Sequence, residues 1–276
     1  MTIIGITGFD GRLGSELVRM GCEPLNCDIT NHEEIELAIL HKKPDVIINC
    51  AAFTSVDGCE DNKTYQQALA VNTWGVGHLR DIFQGKLIHI SSDYIFSGKD
   101  GPYAETYTKI DPVNGYGYSK VGAEVILQTH NNPDTMIVRT TGLYGGCSGQ
   151  HDFAKLVLSH LREGKELQVT NSLRGNQTYV PHLAEALIVC ANTSGLPKVL
   201  HIASKEVITR YEFAVMIANV FGYDSTLVVP VKNREVPGWV APRPVKGGLK
   251  VNLAEKNKVP IYKILDGLKD YKERLK

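Results

Sequence analysis

The sequence predicts an α/β fold, a doubly wound parallel sheet followed by a smaller C-terminal lobe. Short apolar strands alternate with helical segments through the first half of the 276 residues, as in a parallel sheet covered by helices. A glycine-rich turn joins the first strand to the first helix. After about residue 140 the alternation becomes irregular, which indicates a second, smaller unit.

The individual elements follow from the spacing of apolar residues. Continuous apolar runs predict strands over 3–7, 46–50, 87–91, 136–140 and 167–170. Apolar residues three or four apart predict helices over 11–20, 30–41, 63–83, 115–129, 153–163, 181–191 and 210–221. Thr30 and Glu33 predict a capping box at the second helix. The proline-rich stretch 237–244 fits neither regular element.

Composition and charge exclude several classes of function. Thirty basic and thirty acidic residues cancel, so we expect no nucleic-acid partner. The longest apolar stretch, 46–53, is far shorter than the roughly 20 residues that span a bilayer, so we expect no membrane partner. Six cysteines lack CxxC spacing, and we expect Cys50 and Cys190 to be buried free thiols. The N-terminus does not resemble a signal peptide, and together with the cysteines this predicts a cytoplasmic protein. We also expect no metal site.

Glycines stand at the end of the first strand and at the start of the first helix. Gly8 permits a tight turn, Gly11 lets backbone amides approach a pyrophosphate, and Gly14 lets helix and strand pack closely. We therefore expect a dinucleotide here, with an ordinary turn as the alternative. The GxxGxxG spacing is typical of short-chain dehydrogenase/reductase relatives. The residues expected to bind are Gly8, Asp10, Gly11, Arg12, Leu13 and Gly14.

The glycine turn assigns a role to each unit of the fold. Residues 1–146 are expected to form an NAD(P)-binding Rossmann domain, to which residues of about 174–202 return. Residues 147–276 are expected to form a lobe that binds substrate.

Tyr116 is the one tyrosine of twelve with a lysine, Lys120, four residues later. On a helix this spacing puts both side chains on one face. About one such pair is expected by chance, so the alternative is a tyrosine beside a solvated lysine. The position of this helix favours a functional role for the pair, because the helix follows a strand whose end carries Ser92. Ligands of open α/β sheets bind at such strand ends.

A convergence of Ser92, Tyr116 and Lys120 predicts definite chemistry. Tyrosine has a pKa of about 10, and a neighbouring ammonium is expected to lower it. Ser92 would donate a hydrogen bond to a carbonyl oxygen, Tyr116 would protonate that oxygen, and a nicotinamide would supply hydride to the carbon. The predicted reaction is carbonyl reduction.

Several motifs in order along most of the chain resemble the dTDP-4-dehydrorhamnose reductase family of extended short-chain dehydrogenases. They are TGFDGRLG, PDVIINCAAFTSVDGCE, HISSDYIFSG, YGYSK, IVRTTGLYG and the pair Arg243-Pro244. The resemblance implies reduction of the C4 ketone of a nucleotide-linked 4-keto-6-deoxy sugar. It matches Ser92, Tyr116 and Lys120 to the catalytic positions.

The resemblance also implies binding residues. On the cofactor side these are Asp28 and Ile29 near the adenine, Ala51, Ala52 and Phe53 along the cofactor, and Tyr116 and Lys120 at the nicotinamide end. On the substrate side they are Asp93, Tyr94 and Arg243. Asn72 also matches, although a buried structural amide is an equal alternative.

Two comparisons within the superfamily bear on the reaction and the substrate. Nucleotide-sugar dehydratases carry an acidic pair where this chain has Asp93-Tyr94, which favours simple reduction. Gly142 stands where the family usually has tryptophan, and Asp152 precedes Phe153 where it usually has asparagine. An acid close to phosphates is unfavourable, so a dTDP or a UDP carrier stays open.

The cofactor is expected to be NADPH or NADH. Asp28, about twenty residues after Gly8, suits the ribose hydroxyls of NADH. Arg12 could instead bind a 2′-phosphate, which favours NADPH, although a solvated arginine is an equal alternative.

The alternative function is a regulatory subunit. The regulatory β subunit of methionine adenosyltransferase resembles the same family and binds NADP as a partner protein. The expected partner of an enzyme is a nucleotide sugar, and a homodimer is the expected assembly.

Overall fold

The computed structural model describes residues 2–147, 152–232 and 238–276, in which strands and helices alternate. The strands are β1 (Ile4–Thr7), β2 (Glu23–Pro24), β3 (Val46–Asn49), β4 (Lys86–Ser92), β5 (Thr135–Thr140), β6 (Leu167–Thr170), β7 (Arg174–Gly175), β8 (Val199–His201), β9 (Ile208–Thr209) and β10 (Val228–Val231). The helices are α1 (Arg12–Arg19), α2 (His32–Lys42), α3 (Asn62–Leu69), α4 (Gly75–Ile82), α5 (Gly115–Thr129), α6 (Phe153–Arg162), α7 (Val180–Asn192), α8 (Arg210–Phe221), α9 (Asn252–Lys256) and α10 (Ile264–Arg274).

A six-stranded sheet lies at the centre, in the order β2-β1-β3-β4-β5-β8. Every neighbouring pair in it is parallel. Helices cover both faces, which is why the first three residues of β3 are all apolar: Val46 and Ile48 pack on one face and Ile47 on the other. The doubly wound parallel sheet predicted from the sequence is confirmed.

The second half of the chain adds to this sheet and builds a separate core. α7 packs against α1, and β8 pairs with β5. The remaining short strands form two pairs, β6 with β10 and β7 with β9. A second apolar cluster lies between α6, α8 and α10 and includes Leu158, Phe213, Ile217 and Leu268. No helix among the described residues is long and apolar enough to cross a membrane.

Three local predictions need correction. The capping box at Thr30 and Glu33 is wrong, because Asn31 caps α2 by accepting hydrogen bonds from the backbone N–H groups of Glu33 and Glu34. The helix predicted over 63–83 contains a π-helical turn, Ala70–Trp74, between α3 and α4. Cys190 is a buried free thiol as predicted, whereas Cys50 is half-buried.

Two glycines allow the first turn to pack onto the sheet. Gly8 has a φ of +60°, and a Cβ there would lie 2.6 Å from the backbone N of Ala51. A Cβ on Gly14 would lie 2.1 Å from the carbonyl oxygen of Gly8. Since both obstacles are backbone atoms, no side chain can rotate away to make room. These glycines hold α1 close to the ends of β1 and β3.

We expect Gly14→Ala to destabilise the protein by about 3 kcal/mol, because the added methyl group overlaps backbone atoms. Gly11→Ala is the matched control, since its Cβ would meet only the Gly8 oxygen at 3.2 Å. The control should cost less than about 1 kcal/mol. Urea unfolding of both variants measures the difference, and equal losses would contradict this account of the turn.

Candidate active site

The carboxyl ends of β1, β3, β4 and β5 surround a cleft of about 440 Å³. β1 lies between β2 and β3, so the chain winds away in opposite directions from this point of the sheet. Such a reversal of strand order is where open α/β sheets bind ligands. The lining residues are Gly11, Arg12, Leu13, Cys50, Ala52, Thr54, Val56, Ile90, Ser91, Ser92, Asp93, Tyr94, Tyr116, Lys120, Thr140, Thr141, Gly142 and Leu143.

The N-terminus of α1 opens into this cleft. Gly11 is the N-cap residue, and its N–H donates to the Gly8 carbonyl over 3.1 Å. No described side chain caps α1, and its first turn carries no acid. The first N–H groups of a helix have no carbonyl one turn earlier, so this end favours an anion. The cradle therefore fits the pyrophosphate of a dinucleotide.

Ser92 and Tyr116 come together at one wall of the cleft. Ser92 ends β4, and Tyr116 lies in the first turn of α5, whose N-cap is Asn114. Both side chains line the cleft, and Ser92 is near enough to Tyr116 to lower the pKa of its phenol. The ring of Tyr94 packs edge-on against that of Tyr116, with centroids 5.6 Å apart. The two hydroxyl groups predicted to act on the ketone oxygen therefore lie in the same part of the cleft.

Lys120 lies one helical turn after Tyr116 and is 2% exposed. Its Nζ donates to the Ile90 carbonyl over 2.7 Å and lies 3.5 Å from His89 Nε2. Burial lowers the pKa of Lys120 to about 8, although Glu124 and Cys50 act in the opposite direction.

The expected lowering of the Tyr116 pKa by Lys120 is not found. Burial raises the pKa of Tyr116 well above its usual value, with Tyr94 and Asp93 adding to the effect and the Ser92 hydrogen bond opposing it. Desolvation disfavours the phenolate more than nearby groups favour it. Tyr116 is therefore held as a neutral phenol, the form that donates a proton.

Asp93 lies next to Ser92 and is 4% exposed. Burial raises its pKa to about 6, although the side chains of Thr141 and Ser92 and the Gly248 backbone donate hydrogen bonds to it. A carboxyl group in this position titrates close to neutral pH.

Arg243 is held at the rim by an ion pair and does not line the cleft. Its guanidinium pairs with Asp57 and lies over the ring of Trp239 at 4.9 Å. Burial alone would raise the pKa of Asp57, but the hydrogen bonds from Arg243 and from the Val240 and Ala241 backbone outweigh it and lower this pKa. The segment around Arg243 is thereby fixed to the loop after β3.

Asn114 connects the same segment to α5. Its Oδ1 accepts from the Gly117 N–H, and its Nδ2 donates to the Pro242 carbonyl over 2.8 Å.

The other predicted cofactor residues differ in their exposure and in the distance along the chain to their partners. Asp28 is exposed, and its Oδ1 accepts hydrogen bonds from the N–H and hydroxyl of Thr30. Ile29 is buried, with its side chain against Gly75. Asp10 is exposed in the glycine turn. Arg12 donates from Nη1 to the Leu143 carbonyl at 3.1 Å, across the cleft floor.

Asn72 is a fully buried amide that braces the loop after β3. Its Oδ1 accepts from the Phe53 N–H, and its Nδ2 donates to the Phe53 carbonyl and to the Ser119 hydroxyl. Of the two interpretations of Asn72, the contacts favour the structural one. The loop carrying Ala51, Ala52 and Phe53 is held from behind, and only Ala52 of these three lines the cleft.

Asp152 does not act as an isolated acid. It caps α6 by accepting from the Lys155 N–H, and its second oxygen accepts from the Gly145 N–H over 3.1 Å. These two N–H donors satisfy the Asp152 carboxylate, which was predicted to be unfavourable beside phosphates.

Half of the residues that line the cleft were not predicted from the sequence as site residues. They are Cys50, Thr54, Val56, Ile90, Ser91, Thr140, Thr141, Gly142 and Leu143. They share a position in the last residues of a buried parallel strand or in the segment that follows it.

Asp93→Asn should change how stability depends on pH. A carboxyl whose folded pKa, about 6, exceeds its unfolded value near 3.8 is destabilising once ionised. Wild-type protein should therefore lose about 2 to 3 kcal/mol relative to the variant as pH rises from about 4 to 7. Denaturant unfolding across this range provides the test, and a pH-independent difference would contradict the raised pKa.

Comparison with known proteins identifies the family. The model described as RmlD substrate binding domain matches residues 1–276. The dTDP-4-dehydrorhamnose reductase of Mycobacterium tuberculosis is 36% identical over 251 residues, which cover 84% of this chain and 80% of that protein. The spore coat polysaccharide biosynthesis protein SpsK of Bacillus subtilis is 34% identical over 260 residues, covering 88% and 87%.

A solved structure agrees with these relatives. The crystal structure of dTDP-4-dehydrorhamnose reductase from Bacillus anthracis in complex with NADP has a TM-score of 0.89 and 28% identity, covering 99% of this chain and all of that one. The chain thus belongs to the family of the RmlD substrate binding domain, which includes the dTDP-4-dehydrorhamnose reductases.

Proposed function

We propose that this chain is an NAD(P)H-dependent oxidoreductase that reduces the C4 ketone of a nucleotide-linked 4-keto-6-deoxy sugar, and that Ser92, Tyr116 and Lys120 carry the reaction. The convergence of Ser92, Tyr116 and Lys120 on one cleft at the ends of the parallel strands carries this proposal. The names of the relatives, reductases of dTDP-linked sugars, support the substrate class.

NADPH or NADH fits the glycine turn. The uncapped start of α1 would hold the pyrophosphate, Gly11 and Leu13 would lie beside it, and Lys120 would face the nicotinamide ribose. When bound, the cofactor supplies a hydride. The NADP in the Bacillus anthracis relative supports NADPH as the preferred cofactor, with Arg12 as the candidate partner of its 2′-phosphate.

Reduction needs a proton as well as a hydride. Ser92 would donate a hydrogen bond to the ketone oxygen, and Tyr116 would transfer its phenolic proton to that oxygen, so that the C=O bond becomes an alcohol C–OH. The raised pKa of Tyr116 ensures that the proton is present before reaction. Lys120, buried beside it, would stabilise the tyrosinate that remains.

Substrate contacts are assigned to Asp93, Tyr94 and Arg243. Asp93 and Tyr94 line the cleft beside the reacting group, and Arg243 lies at its rim next to Trp239. The Thr140 hydroxyl is buried at the cleft without a partner among the described residues, and is a further group that a sugar hydroxyl could satisfy.

We assign cofactor binding and substrate binding to the parts of the chain that form the two cores. We assign cofactor binding to residues 1–146, with 174–202 returning to the sheet, and substrate binding to residues 147–276. The contact of α7 with α1 and the pairing of β8 with β5 support the return. Six free cysteines support a reducing compartment such as the cytoplasm. A homodimer stays a prediction.

The regulatory interpretation is weaker on present observations. A binding protein needs the dinucleotide cradle but has no need of two hydroxyl groups that line the same cleft as a buried lysine. Turnover of a keto sugar separates the two functions.

Tyr116→Phe should lower kcat about 100- to 10,000-fold and weaken cofactor binding far less, because it removes the proton donor and leaves the glycine turn and Lys120 in place. Tyr118→Phe is the matched control on the same helix, since Tyr118 is 54% exposed. Oxidation of NADPH and NADH is followed with 4-keto-6-deoxy sugars carried on dTDP and on UDP. Undiminished turnover in Tyr116→Phe would refute the assigned mechanism.

A further inference from the structure

A chain of buried polar groups runs below the cleft from β1 to α5. The Thr7 hydroxyl donates to Asn49 Oδ1 over 2.6 Å, and the Ala51 N–H donates to the same oxygen over 3.1 Å. Asn49 Nδ2 lies 3.2 Å from His89 Nδ1, and His89 Nε2 lies 3.5 Å from Lys120 Nζ. Asn49 and His89 are at most 1% exposed, so water does not satisfy these atoms.

The backbone N–H of Ala51 determines which atoms donate and which accept in this series of hydrogen bonds. A backbone N–H can only donate, so the Asn49 atom facing it is the oxygen and the atom facing His89 is the NH₂ group. His89 Nδ1 must therefore accept. Burial holds the pKa of His89 well below its usual value, so the ring is neutral and carries its single proton on Nε2.

The His89 Nε2–H consequently points at the amine of Lys120. A neutral amine has a lone pair that can accept this hydrogen bond. An ammonium has none, so two N–H donors would face each other without an acceptor. Nζ keeps its hydrogen bond to the Ile90 carbonyl in either form.

We propose that His89 is a positioning residue that acts through Lys120: its Nε2–H, aimed at the amine by Asn49, disfavours the ammonium form. The catalytic consequence rests on the proposed function. When the amine and ammonium forms of Lys120 are close in free energy, the ammonium can readily give a proton back to the tyrosinate of Tyr116.

The other charged and titratable groups around Lys120 do not replace His89. Glu124 lies one turn further along α5, but its carboxylate is bound by Arg139 of β5 and by the Ser91 hydroxyl of β4. Cys50, after β3, and Glu124 both favour the ammonium. His89, whose Nε2 lies 3.5 Å from Nζ, opposes the ammonium through the tautomer that Asn49 sets.

The tautomer can be read directly from the ring nitrogen chemical shifts of ¹⁵N-histidine-labelled protein, with His89 assigned by the loss of its signals in His89→Gln. We expect Nε2 to carry the proton. His201 provides an internal reference of the opposite kind, because Arg139 Nη1 faces its Nε2 at 3.4 Å and can only donate. A proton on His89 Nδ1 in the wild-type protein would overturn the proposal without any variant.

Asn49→Asp is the sharpest variant. A carboxylate still accepts from Thr7 and Ala51 but cannot donate to His89, so the imidazole proton should move to Nδ1 and the Nε2 lone pair should face Lys120. The pKa of Lys120, measured from lysine side-chain resonances assigned with Lys120→Arg, should rise by about 1 to 3 units, and by more than in Asn49→Asp combined with His89→Gln, where the added charge acts without the imidazole. Thr7→Val is the control, because it removes one donor to Asn49 and leaves the tautomer unchanged.

In the holoenzyme, the limb of the kcat pH profile that belongs to Lys120 should move to higher pH in Asn49→Asp, with the KM for the keto sugar retained. An inverted tautomer with an unchanged Lys120 pKa would overturn the role of His89. If no keto sugar is turned over, the proposed function fails, while the resonance measurements still decide the tautomer and its effect on Lys120.

Discussion

The site depends on the close backbone packing between the glycine turn and the start of the loop after β3. Gly8 lies against Ala51, and Gly14 lies against Gly8, at distances that exclude any side chain. This packing brings the N-terminus of α1 to the edge of the sheet where β3, β4 and β5 also end. An anion-binding helix end and a pair of hydroxyl groups then face one cleft. Without the packing, the N-terminus of α1 would not face the pair of hydroxyl groups carried by β4 and α5.

Burial determines the electrostatics of this cleft more than any ion pair does. It raises the pKa values of Tyr116 and Asp93 and lowers that of Lys120, so each group is pushed toward its neutral form. A neutral phenol is the form that can donate a proton to a ketone oxygen. The charged pairs of the region, Arg139 with Glu124 and Arg243 with Asp57, lie behind the cleft or at its rim and hold its walls in place.

The fold could be predicted because it depends on local patterns. Continuous apolar strands such as β3 and the helical spacing of α1 and α5 are visible in the residues themselves. The convergence of Ser92, Tyr116 and Lys120 could be anticipated because parallel strand ends meet at one edge of a sheet. The choice of Asn31 over Thr30 as a cap could not, because both residues are able to cap and only the backbone geometry separates them.

Features that depend on distant contacts were beyond the sequence pattern. Arg243 and Asp57 are 186 residues apart, and the residues next to each of them in the sequence do not predict their pairing. The direction of the Tyr116 pKa shift was predicted wrongly for the same reason: the neighbouring lysine is visible in the sequence, whereas the depth at which the tyrosine is buried is not. The orientation of the Asn49 amide, set by the Ala51 N–H, likewise exists only in the folded chain.

The most direct test of the account follows the transferred hydrogen itself. Purified protein is supplied with NADPH deuterated at the C4 position of the nicotinamide and with a nucleotide-linked 4-keto-6-deoxy sugar, and the product is examined by NMR and mass spectrometry. The account predicts one deuterium, attached to C4 of the sugar, where the ketone has become an alcohol. Recovery of unchanged keto sugar, or of product without deuterium at C4, would contradict it.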